Sequence, residues 1–77
     1  MPSNVNPVVQ SLHRLDRKFD GIGDQMQEFY RRQANGEQPN PNDFARLLEQ
    51  QSLTHSAMTA QFSLLQKPLK TVLNEAK

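Results

Sequence analysis

Apolar residues in the first third of the chain fall on one line. Val5, Val8, Leu12, Leu15, Phe19, Ile22, Met26 and Phe29 are spaced 3, 4, 3, 4, 3, 4 and 3 residues apart. A 3.5-residue period keeps one narrow stripe facing the same neighbour along a helix, so this segment predicts a long side-by-side helix contact. A second line runs through Phe44, Leu48, Gln51, His55, Met58, Phe62, Leu65, Leu69, Val72 and Ala76. Gln51 and His55 make it polar near its middle, and polar seam positions lower stability while fixing register. Leu47, Leu53, Leu64 and Leu73 lie off this line and add apolar surface that two helices alone leave uncovered. Residues 62–73 are the most apolar stretch and the expected docking site for another chain.

The helix ends are written in the punctuation. Asn6-Pro7 and Asn40-Pro41 each offer an amide cap followed by proline at the first helical position, where the missing N–H is not needed. Asp43, three residues after Asn40, places negative charge at the positive end of the second helix. Asn35-Gly36 is a left-handed stop, with Arg31 and Arg32 in the turn before it. The expected elements are therefore helix 1 over residues 7–34, a connector over 35–40, helix 2 over 41–66 and a C-terminal helix over 68–76. A connector this short joins antiparallel neighbours. Gly21 and Gly23 weaken helix 1, but the apolar phase continues across them, which predicts a continuous helix. Pro68 opposes the carbonyl of Leu64 and removes one hydrogen bond, which predicts a kink or restart. The fold class is all-α: an antiparallel helical hairpin forming one domain over residues 1–77.

Composition narrows the function. A 77-residue chain makes one small domain, and such domains are marginal unless stapled or joined to a partner. With no cysteine and two distant histidines, His13 and His55, neither disulfides nor a metal site are expected to staple it. The chain carries nine basic and eight acidic residues, and along helix 1 Arg14, Asp16, Arg17, Lys18, Asp20, Asp24 and Glu28 interleave, a pattern of a solvated face and not of a phosphate-binding stripe, so nucleic acid is not an expected partner. Asp16, Asp20 and Asp24 recur every four residues, and salt links to Arg17 and Lys18 are expected in preference to a bound cation. No nucleophile, acid and orienting partner converge, so no enzyme activity and no cofactor are expected. His55, on the seam, is a candidate pH-sensitive position. The start of the chain lacks a charged, apolar signal segment and no apolar run approaches the ~20 residues of a membrane span, so a soluble protein is expected.

A charged first helix, the connector Gln38-Pro39-Asn40-Pro41-Asn42-Asp43 and a second helix with an apolar end resemble the small hairpin proteins of bacterial type III secretion systems. These include needle subunits, the C-terminal part of inner-rod subunits and small co-chaperones of the needle protein. Residues 61–73, Gln-Phe-Ser-Leu-Leu-Gln-Lys-Pro-Leu-Lys-Thr-Val-Leu, look most like the small F protein of the plant-pathogen (Hrp) branch. The resemblance implies a cytoplasmic co-chaperone that shields a needle or pilus subunit together with its helical-repeat chaperone. It leaves open a polymerising needle or inner-rod subunit, exported without a cleaved signal. Pro68 departs from needle subunits, whose C-terminal helix is continuous, and so favours the co-chaperone. A stand-alone regulatory coiled coil is the remaining alternative. The residues expected to contact partners are Leu12, Leu15, Phe19, Ile22, Met26 and Phe29 in the first helix and Phe62, Leu65, Leu69 and Val72 in the second.

Overall fold

Two helices make up the described chain: α1, Pro7–Ala34, and α2, Pro41–Glu75, packed along one another as an all-α hairpin. The computed structural model describes the backbone of residues 6–75 and the side chains of residues 6–66. Val5 and Ala76 on the expected lines lie outside the described residues, as do the side chains of Leu69, Val72 and Leu73.

Both helices start by the same device. The Asn6 side-chain oxygen accepts the N–H of Val8 at 2.8 Å, and the Asn40 oxygen accepts that of Asn42 at 2.9 Å, each across a proline at the first helical position. At the end of α1 the Glu37 N–H reaches the carbonyl of Arg32 and the Gly36 N–H that of Gln33, both at 3.0 Å. Gly36 sits at φ +87°, so this is a Schellman stop, closed by a residue in the left-handed region that only glycine enters without strain. The Arg32 guanidinium donates to the Glu37 carboxylate at 3.0 Å and braces the same turn.

α1 passes through Gly21 and Gly23 unbroken, as its apolar phase requires. α2 passes through Pro68 as a single element, so the expected second and third helices are one and no restart occurs. A proline inside a helix removes one hydrogen bond and costs about 3 kcal/mol, which a helix of 35 residues absorbs without ending.

Two aromatic contacts set the register. Phe29 lies against Phe44 with ring centroids 4.8 Å apart, and Phe19 against His55 at 6.3 Å. Stepping back along α1 therefore steps forward along α2, which brings Met26 level with Leu47, Leu15 with Met58, Leu12 with Gln61 and Val8 with Leu65. Residues of α2 after Gln66 run past the level of Pro7, where α1 begins.

The α2 seam is rotated from the expected line. Phe44, Gln51, Met58 and Leu65 are at least partly covered as expected, but the intervening positions are Leu47, Thr54 and Gln61, not Leu48, His55 and Phe62, which are exposed. The rotation is fixed at the connector, where Phe44 is held between Phe29 and Tyr30, the latter at 5.5 Å. Further along, the bulky Phe19 and Ile22 of α1 face the small Thr54. Among the described residues only Ile22 and Thr54 are buried. The Cα radius of gyration is 18.2 Å, against about 11.5 Å for a compact domain of this length.

Candidate functional site: the outer faces of α2

The expected contact residues divide sharply. Leu12, Leu15, Phe19, Ile22, Met26 and Phe29 are all at least partly covered on the α2-facing line, as is Leu65 on the facing line of α2. In the hairpin these side chains hold the two helices together. Phe62 instead stands 52% exposed on one flank.

That flank carries a line of its own, Leu48, Ser52, His55, Thr59 and Phe62, all exposed. Between it and α1 lies a groove of about 480 Å³ lined by Phe19, Leu48, Gln51, Ser52 and His55. Tyr30, also exposed, packs on Phe44 at the connector end. A second line, Leu53, Ala57, Ala60 and Leu64, is spaced 4, 3 and 4 residues apart. Leu53 is 64% exposed and Leu64 47%, with two alanines between them that let another helix approach closely.

The other side of the hairpin is polar. Gln25, Asp43, Arg46, Leu47 and Gln50 line a groove of about 320 Å³ there, and Gln25, Glu28, Phe29, Arg32, Pro39, Asp43 and Leu47 line a smaller one next to it. Glu28 and Arg31 form a two-pronged ion pair on α1. The hydrogen bond from Arg31 holds the Glu28 carboxyl below its ordinary range, and Glu28 in turn raises the guanidinium of Arg31. The expected links from Asp16, Asp20 and Asp24 to Arg17 and Lys18 are not formed; the ion pairs among the described residues are Glu28–Arg31 and Arg32–Glu37. On a fully solvated face such links gain little against side-chain entropy. Among the described residues no group of three or more His, Asp or Glu side chains is placed to hold a metal ion, and no helix is long and apolar enough to cross a membrane.

One signal in the sequence marks these faces, and a search for apolar periodicity passes over it. Residues 50–66 contain no Asp, Glu, Lys or Arg. That is 17 consecutive residues, about 25 Å of helix. α1 covers one side of this segment, so the remaining sides meet solvent without a formal charge.

No family model matches the chain, and neither a curated protein nor a solved structure is found similar to it.

Proposed function

We propose that this chain is a non-enzymatic association module whose α2 packs against the helices of other proteins, and that it serves a type III secretion apparatus as a co-chaperone of the needle or pilus subunit. The observation that carries the association is the charge-free segment at residues 50–66, which leaves apolar lines uncovered on more than one side of α2. A solvated helix of a small domain carries charge on its outer face, whereas a helix enclosed by neighbours does not. The secretion context rests on the resemblance in organisation. In this reading the partner lies along Leu53, Ala57, Ala60 and Leu64, and continues over the stretch that holds Leu69 and Val72.

The test is co-expression with the needle or pilus subunit and its chaperone from the same organism, followed by capture on an affinity tag. The expected result is a stoichiometric complex that is lost in Leu53→Asp and Leu64→Asp, since an unpaired carboxylate in a packed contact costs several kcal/mol. Absence of a complex with either protein overturns the co-chaperone reading.

A second reading, the polymerising subunit, is supported by the continuity of α2 through Pro68, because the interruption that set this chain apart from needle subunits is absent as a restart. Uncovered lines on two sides of one helix also suit a subunit that repeats its contacts head to tail. Filaments formed by the purified chain alone would favour it.

A further inference from the structure

We infer that a second copy of this chain docks on the flank of α2 that carries Leu48, His55 and Phe62, in an antiparallel two-fold pairing that seats each copy's Phe62 in the groove of the other. The inference deepens the reading of α2 as an association helix and assigns one of its two lines to self-pairing. Four residues from α2 line the groove of about 480 Å³, and they are Leu48, Gln51, Ser52 and His55. Their spacing, i, i+3, i+4 and i+7, is the diamond that receives one side chain from a facing helix. Phe19 of α1 lines the groove as well, so its wall is partly apolar.

The matching knob is on the same line. Phe62 is one heptad beyond His55 and more than half exposed. Setting the second copy's Phe62 in the groove, with the chains antiparallel, places a two-fold axis near the level of Ser56 and Ala57. The same operation returns the first copy's Phe62 to the second copy's groove, so both knobs and both grooves are filled by one contact, as an isologous interface requires.

Charge argues for a copy of the chain over a charged partner. A two-fold axis sets every residue near it against itself, and like charges there repel. From Gln50 to Gln66 no formal charge stands near the axis. Between Gln50 and Gln66 an acidic or basic partner would find no formal charge on α2 to pair with.

The test is molar mass by light scattering over a concentration series, with a single-cysteine cross-link in a chain that has no native cysteine. The expected mass is twice the 8.8 kDa of one chain. Phe62→Asp is expected to weaken pairing at least tenfold while helicity is retained, because the ring lies outside the seam between α1 and α2. With Phe62 intact, Thr59→Cys is expected to join two chains through a short bismaleimide, and Leu53→Cys is not. A monomer throughout the series overturns the inference, as does a dimer that survives Phe62→Asp and cross-links through Leu53→Cys. Capture of a secretion subunit depends on Leu53 and Leu64 and should survive Phe62→Asp, so the two proposals fail separately.

Discussion

Phe44, the fourth residue of α2, lies 4.8 Å from Phe29 between ring centroids, tilted by 38°. The contact joins the last turns of α1 to the first turn of α2 across a six-residue connector, and with Tyr30 on its other side it sets how α2 is rotated. A ring pair at this separation contributes about 1 kcal/mol beyond the area it buries. Phe44→Ala should therefore lower the unfolding free energy by about 2 kcal/mol, a half-covered site falling short of a core Phe→Ala. Urea denaturation followed by circular dichroism measures it, and an unchanged midpoint would show that the connector end does not hold the hairpin.

Thr54 and His55 are neighbours in sequence with opposite fates. Thr54 is buried in the seam and His55 exposed beside Phe19. Thr54→Asp should unfold the hairpin by leaving a carboxylate unpaired in the contact, whereas His55→Asp should leave helicity intact. The reverse pattern in circular dichroism would restore the line through Leu48, His55 and Phe62 as the seam.

Gly21 and Gly23 lie within α1, and a methyl group added at either would meet no atom within 4 Å. Gly21→Ala and Gly23→Ala should each stabilise the chain by up to about 1 kcal/mol through helix propensity. Gly36→Ala should do the opposite by about 1 kcal/mol, because its φ of +87° crowds a Cβ against the backbone. Thermal melts of the three variants should thus shift in two directions.

The Glu28–Arg31 pair predicts the sign of one pH effect. Hydrogen bonding to Arg31 lowers the folded Glu28 carboxyl below its unfolded range. Its contribution to stability is present above that range and is lost as pH falls through the lowered folded value. Arg31 is shifted upward, so its share is present below the unfolded arginine range and lost only above it. Full exposure keeps the effect small. Glu28→Gln should flatten the acid limb of the stability profile slightly by lowering the plateau near neutral pH, while stability at low pH stays unchanged.

Both ends of α1 and the start of α2 were legible because each depends on local chemistry. An amide cap before proline and a glycine stop after two arginines act within a few residues, and the structure places the ends of α1 and the start of α2 where those signals lie. The first seam was legible because α1 has one apolar line and no rival to it. α2 has rivals. Leu47 and Leu48, Thr54 and His55, Gln61 and Phe62 are adjacent pairs, and periodicity alone ranks the more apolar or bulkier member as buried. What decides is tertiary: the grip of Phe29 and Tyr30 on Phe44, and the room left opposite Phe19 and Ile22. Tyr30 was missed because it follows the last member of the α1 line and lies on its flank. The uncharged segment at residues 50–66 was present in the sequence throughout, but it is a property of all faces of α2 and is invisible to a search for one stripe.

The central claim is that the hairpin is completed by contacts along α2, and that a second copy of the chain supplies one of them. Its most direct test is the melting temperature of the purified chain measured over a hundredfold range of concentration. Binding to the folded state raises apparent stability by mass action, so the account predicts a melting temperature that climbs with concentration. A single melting temperature across the whole range would contradict it.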